Sequence, residues 1–196
     1  MKLNAQQLRE LEEKRAMGDI RKIKRHPIYF ILENIYDTYN IGGLFRLADA
    51  IAVEKIYLCG EMEIPPNSRI KKASIGTYKI VDWTYKKSVK EAILSLRALA
   101  KQSYEIASSS HHDVTPRNDI KIIAVEQHLK AILYTEASYS LPLALIFGNE
   151  SHGITPGTLK LVDQIVEIPM WGINKSLNVI VSAAIVSYWI LNKLHL

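Results

Sequence analysis

The chain has 196 residues with 48% hydrophobic and 23% charged side chains, which excludes a disordered polymer and is enough for one domain with its own core. Its 25 Lys+Arg exceed its 20 Asp+Glu, for a net charge of +5, and its single cysteine, Cys59, excludes a disulfide framework and a cysteine-based zinc site. The opening MKLNAQQLRE lacks the apolar core of a secretory leader, so a cytoplasmic location is expected.

Residues 4–17 predict an amphipathic helix with Asn4 as N-cap and Leu8 and Leu11 on one face. It lies in a basic segment, residues 2–25, carrying eight Lys/Arg and four acids. Residues 28–32 (IYFIL) form a continuous apolar run, as in a strand covered on both faces, and residues 34–40 read as a polar loop. A helix over 42–51 is expected to begin at Gly42-Gly43, followed by a strand at 55–60. After the loop at Pro65-Pro66 come a strand at 78–83, a helix at 88–102 and a strand at 104–109. Residues 69–90 are a second basic segment, with seven Lys/Arg and one acid, which leaves the rest of the chain net acidic. Tyr78, Trp83 and Tyr85 are interleaved there. Basic clusters with aromatics suit a polyanion on which bases stack, and Lys71, Lys72, Lys86 and Lys87 are the expected RNA contacts. A solvated basic face over core aromatics is the plainer alternative.

Residues 110–119 read as a loop, 120–127 and 143–150 as strands, 155–163 as a helix with Thr155 as N-cap and Pro156 at its first position, and 164–170 as a strand. From Ser176 to Asn192 there is no charge for 17 residues, the lower limit for a membrane span; Asn178, Ser182 and Ser187 within it favour a buried or interface helix. The alternation predicts an α/β fold, a mostly parallel sheet flanked by helices, with residues 1–25 as a basic helical extension and 26–196 as the domain proper. Neither a dinucleotide-binding nor a P-loop glycine pattern is complete, and His111, His112, His128 and His152 have no metal-ligand spacing, so no metal is expected.

Three segments in register then carry a resemblance: Asn40-Ile-Gly-Gly-Leu-Phe-Arg46-Leu-Ala-Asp49, Leu143-Ala-Leu-Ile-Phe-Gly148-Asn-Glu150-Ser-His-Gly153, and Ile168-Pro-Met-Trp-Gly-Ile-Asn-Lys-Ser176-Leu177-Asn178-Val. Over residues 28–190 the chain resembles the SpoU (TrmH-like) family of RNA ribose 2′-O-methyltransferases, within the SPOUT superfamily. Leu47 stands where that family usually has Thr, and the polar stretch 108–119 departs from its pattern. The resemblance implies a C-terminal trefoil knot and S-adenosylmethionine as cofactor, held by backbone near Gly148, Ile168 and Leu177, with Glu126 and Gln127 lining the same pocket. On this reading Gly148 lets the backbone approach the adenosyl group. It implies catalytic positions at Asn40, Arg46, Glu150, Ser176 and Asn178, a tRNA or rRNA partner, and a homodimer paired through the C-terminal helix. Read as structure alone, Asn40 would cap the helix at 42 and Glu150 the helix at 155. A catalytically silent RNA-binding protein of the same fold and a base-directed methyltransferase of the superfamily remain as alternatives.

Overall fold

The structure, a computed structural model, describes residues 4, 7, 8, 10, 23–108 and 120–196. Asn4 and Gln7 exchange hydrogen bonds, each side-chain oxygen accepting from the other's backbone N–H (2.8 and 2.9 Å), the reciprocal arrangement of a helix start. Gln7, Leu8 and Glu10 are helical, and Leu8 N–H donates to the Asn4 carbonyl at 3.0 Å; the other residues of the expected 4–17 helix, and the loop expected at 110–119, lie outside the described residues.

Among the described residues seven strands form one sheet: β1 (His26–Glu33), β2 (Val53–Cys59), β3 (Asp82–Lys86), β4 (Lys121–Val125), β5 (Ile132–Leu133), β6 (Leu143–Phe147) and β7 (Gln164–Glu167). Their order is β3-β2-β1-β6-β4-β7-β5, and every neighbouring pair is parallel. β6 lies at the centre of that order and β1 beside it, with β1 in register with Leu143–Phe147 on one side and with β2 on the other. Parallel strands need crossovers that cover both faces, which is why these strands read as unbroken apolar runs rather than alternating ones. Alternate residues of β1 go to opposite cores: Ile28, Phe30 and Leu32 to one, Ile31 to the other. Phe30 meets Phe147 edge-to-face at 5.2 Å, a pair worth about 0.5–1.5 kcal/mol beyond the area it buries.

Among the described residues the helices that follow β1 include α1 (Thr38–Ala50), α2 (Ser68–Ser74), α3 (Val89–Ser108), α4 (Pro156–Leu159) and α5 (Val179–Lys193). α3 covers one face through Val89, Ala92, Ile93 and Leu96; α1 and α5 cover the other. Arg25, from the first basic segment, is spent on structure. Its guanidinium donates to the Val53 and Ile80 carbonyls (2.9 and 3.3 Å) and contacts Asp49 at 3.4 Å.

Several boundaries differ from the sequence reading. α1 starts at Thr38, not at Gly42, because Asp37 caps it by accepting from Tyr39 N–H at 2.8 Å. Gly42 and Gly43 therefore sit inside the helix, where they serve contact: a Cβ on Gly42 would lie 2.5 Å from Ala73 Cβ and 2.8 Å from Ser74 N, and one on Gly43 would run into Ile180 of α5. The strand expected at 78–83 begins only at Asp82. Ile75 and Gly76 take left-handed conformations, and the following 3-10 turn (Thr77–Lys79) uses the Thr77 carbonyl to accept from Ile80 and Val81. Residues 104–108 of the strand expected at 104–109 are the end of α3, since no glycine or proline stands between Val89 and Ser108 to stop a helix already formed. The helix expected over 155–163 is one turn, and the strand expected over 164–170 ends at Glu167. The two-residue edge strand β5 had no sequence signal.

The glycines of α1 give a contrast. Gly42→Ala forces two backbones apart and is expected to cost about 1–3 kcal/mol in urea denaturation. Gly43→Ala meets only the tip of the Ile180 side chain, and the roughly 1 kcal/mol gained in helix propensity offsets the rearrangement, so its midpoint should stay near the parent's.

Candidate functional site

The carboxyl ends of the central strands open into a cleft of about 810 Å³. Open parallel sheets bind ligands at this edge, and the volume lies in the range of small-molecule sites. Four pieces of chain build it: the turn after β1, the end of β4, the loop after β6, and the segment from β7 to α5.

The loop after β6 is closed on itself. Asn149 N–H donates to the Gly153 carbonyl at 3.1 Å, and Gly153 N–H returns a bond to the Asn149 carbonyl at 2.9 Å. Within this loop Asn149 is buried, and its Oδ1 accepts from the Ser151 and His152 amides (2.9 and 3.0 Å) and contacts His152 Nδ1 at 3.1 Å. Its Nδ2 donates to the Asn34 carbonyl at 2.7 Å, which ties the loop to the end of β1. Glu126 holds the other side: one carboxylate oxygen accepts from Ile154 N–H at 2.8 Å, the other from Gln127 N–H at 3.1 Å. Gly153 has φ +66°, and a side chain there would strike that carboxylate. Gly148 has a similar reason to be glycine. Its Cβ would collide with the backbone of Gly153 and Ile154, so the close approach at this position is first of all that of the chain to itself.

Glu33, buried at the end of β1, accepts from Thr155 N–H and Oγ1–H (both 2.9 Å) and from Thr158 Oγ1–H at 2.6 Å, which fixes the start of α4. Glu150 does not cap α4; Thr155 does, accepting from Thr158 N–H. The Glu150 carboxylate instead accepts from the Tyr36 and Asp37 amides ahead of α1 (3.3 and 3.2 Å) and from Asn40 Nδ2 at 2.9 Å. Asn40 lies within α1 and is buried; its Oδ1 accepts from Asn178 Nδ2 at 3.0 Å. Asn178 is the N-cap of α5, accepting from Ile180 N–H at 2.8 Å. Glu150, Asn40 and Asn178 thus form one hydrogen-bonded chain across three distant parts of the sequence.

The structure brings all but one of the residues singled out for catalysis and cofactor binding into this cleft: Asn40, Glu150, Ser176, Asn178, Gly148, Ile168, Leu177, Glu126 and Gln127 line it. Arg46 does not. It is exposed on α1, one and a half turns beyond Asn40, with no hydrogen bond or ion pair among the described residues. Lys71 and Lys72 are exposed on α2, while Lys86 ends β3 and Lys87 follows it at the sheet edge that bears the cleft. Tyr36, Asn149, His152 and Lys175 also line or frame the cleft and carried no separate signal in the sequence. Among the described residues no three His, Cys, Asp or Glu side chains stand together as a metal site would require.

Residues 27–188 match the SpoU rRNA Methylase family. The chain belongs to that family. Among SpoU relatives, a tRNA (guanosine(18)-2′-O)-methyltransferase of Escherichia coli is 26% identical over 169 residues, covering 84% of this chain and 63% of that protein. The enzyme of the same name from Thermus thermophilus is 24% identical over 175 residues, covering 89% and 79%. The chain therefore spans less than two thirds of the E. coli relative's length. Among solved structures, the SpoU methyltransferase AviRb from Streptomyces viridochromogenes, in complex with AdoMet, superposes with a TM-score of 0.71 at 21% identity, over 89% of this chain and 61% of that one. This agreement is one of fold, and it covers the parallel sheet and its flanking helices.

The SpoU cleft rests on the closed loop after β6, which gives a direct test. Asn149→Ala leaves the Asn34 carbonyl and two loop amides without partners and should cost about 1–3 kcal/mol in chemical denaturation. Amide hydrogen exchange at Ser151 and His152 should accelerate in the same variant while that of β1 does not.

Proposed function

We propose that the cleft binds S-adenosylmethionine and that the chain transfers its methyl group to the 2′-hydroxyl of a ribose in tRNA or rRNA. The observation that carries this reading is the convergence, in a SpoU chain, of the three motif segments on one cleft at the ligand-binding edge of the sheet. The cleft suits the cofactor: its volume is sufficient, and its walls combine apolar groups (Phe147, Ile168, Leu177, Val179) with loops whose backbone is held rigid by Asn149 and Glu126. Bound there, the cofactor supplies a methyl group already activated as an electrophile.

The protein's task is then the hydroxyl. A ribose 2′-hydroxyl is a weak nucleophile at neutral pH and must be polarised and held in line. Asn40 is fixed at both ends of its amide, by Glu150 and by Asn178, so it presents a preset edge to the ribose. The Ser176 hydroxyl, exposed at the rim and free of partners among the described residues, is the second positioning group. Arg46 acts as a phosphate clamp rather than a base, because a guanidinium stays protonated in proteins and its planar fork grips two oxygens at once. A phosphate oxygen of the RNA then accepts the proton.

The location of Arg46 outside its own cleft fits the further proposal that two copies pair through α5, which sets the sites beside the interface. α5 supports pairing by its apolar perimeter: Val181 and Tyr188 are exposed although Ala183, Val186 and Ile190 on the same helix are buried. The knot belongs to the same reading, with residues 168–178 threading past the loops at 126–127 and 148–153 that they face across the cleft. So do a basic extension at 1–25 for RNA, a methyltransferase domain at 26–196 and a cytoplasmic location; no helix among the described residues is long and apolar enough to cross a membrane.

In calorimetry the parent should bind S-adenosylmethionine without added metal, and Gly148→Val should not, since its side chain displaces the loop after β6. Arg46→Ala should bind the cofactor as the parent does yet transfer methyl groups on the order of 10²–10³-fold more slowly, to RNA from a strain lacking this protein. Equal turnover in that variant removes Arg46 from the mechanism. Sedimentation at micromolar concentration should give twice the 22.2 kDa chain mass, and a monomer would exclude the pairing.

A further inference from the structure

A second cavity, of about 570 Å³, opens beside the cleft, and Tyr36 stands between them and lines both. The cofactor and the reacting ribose do not occupy it, and of the lysines expected to contact RNA only Lys87 lines it. Its wall is rigid. Asn34, left-handed at φ +53°, accepts from Glu61 N–H through Oδ1 at 2.8 Å and through its carbonyl from Asn149, so the ends of β1 and β2 and the loop after β6 are pinned around the opening.

The floor is apolar. Cys59 is fully buried behind it, its thiol pushed up to about 12 by burial first and then by Glu33 and Glu91, so it backs the floor as an uncharged group. Val89 and Leu161 complete that floor. The rim is cationic and lies at the start of a twenty-residue helix. Lys87 and Lys90 are both exposed there, with Ser88 Oγ accepting from Glu91 N–H at 3.3 Å. Two acids are present. Glu33 is saturated by its three bonds to Thr155 and Thr158, and Glu61 remains at the rim as an acceptor for the amino or imino hydrogens of a base.

An apolar floor, an aromatic edge shared with the first cleft and two lysines at the mouth match the chemistry of an unstacked nucleotide. We infer that this cavity takes the base of an RNA nucleotide adjoining the methylated one, with Lys87 and Lys90 on its flanking phosphates and Tyr36 stacked between the two bases. The inference rests on the methyltransferase reading for the identity of its neighbour. It extends that reading from a cleft that holds one ribose to a surface that reads two consecutive nucleotides.

Gly157 provides the test. It lines the cavity, and a Cβ there would meet nothing closer than Thr155 Oγ1 at 4.0 Å, so Gly157→Phe can fill the space without displacing the fold. The probes are the four nucleoside 3′,5′-bisphosphates, each carrying one base and both adjoining phosphates, added to protein saturated with S-adenosylmethionine. At least one should shift the amide resonances of Gly60 and Leu161, and Gly157→Phe should weaken it tenfold or more while cofactor affinity stays within twofold. Lys87→Ala with Lys90→Ala, which leaves the floor intact, should lower the logarithmic salt dependence of RNA binding by about 1.4, the value for two single-strand phosphates. If none of the four probes shifts those amides, or if Gly157→Phe binds them as the parent does, the cavity is not a nucleotide site. The two readings fail separately: bisphosphate binding in a protein that transfers no methyl group overturns the reaction and leaves the cavity, whereas methyl transfer with an unchanged RNA KM in Gly157→Phe overturns the cavity and leaves the reaction.

Discussion

The hydrogen-bonded chain from Glu150 through Asn40 to Asn178 joins residues 110 and 138 positions apart in sequence, and the cleft depends on it. The strand order makes it available. Because β6 is inserted next to β1, with β4 and β7 beyond it, loops from both halves of the chain emerge at one edge of the sheet. Parallel pairing alone would bring those loops near one another without fixing them. Two side-chain amides and one carboxylate, sharing donors and acceptors in series, convert that proximity into a set geometry. The carboxylate also takes two backbone amides just ahead of α1, so charge-assisted bonds fix the entry of that helix as well.

A pattern repeats around the cleft. Glu33, Glu126 and Glu150 each accept from backbone N–H groups of a loop distant in sequence, so the carboxylates act as staples rather than as partners of lysine or arginine. The arrangement suits a site that must hold loops still while keeping its cations for another use. An amide bonded to a carboxylate is satisfied whether or not a ligand is present, and the loop is preorganised before anything binds. Surface ion pairs in the same places would loosen with salt, and the loops they held would soften with them.

Much of this was legible in the sequence because the relevant signals are local. Strands buried on both faces print themselves as runs such as 28–32 and 143–147, and Thr155-Pro156 announces a helix start. The motif residues could be grouped only through the family resemblance of their three segments, and the fold places nearly all of them along one cleft. What could not be read is set by contacts between segments. Gly42-Gly43 looks like the opening of a helix, whereas its reason is the approach of α2 and α5 to the middle of one. Gly148 looks like an accommodation for a ligand, whereas its Cβ would first meet its own loop. The stretch 104–109 has an apolar pattern too short to decide between strand and helix, and only the absence of a breaker after Val89 decides it. The second cavity has no motif at all. Its walls come from four separate connections, each an ordinary loop.

α5 carries the same logic outward. Its first residue boundary is the cap Asn178, whose Oδ1 takes the Ile180 amide and whose Nδ2 reaches Asn40 in the cleft. Ile180 then rests on Gly43, and nine residues later Trp189 packs edge-to-face on Tyr134 at 5.8 Å. Between these inner contacts Val181 and Tyr188 point away from the domain. A helix fixed this way cannot shift to relieve its exposed apolar face without moving the cap that orients Asn40. The exposed face is therefore coupled to the cleft through the helix itself, and the coupling is mechanical: Val181 and Tyr188 share one helix with its cap Asn178, whose Nδ2 donates to Asn40 of α1.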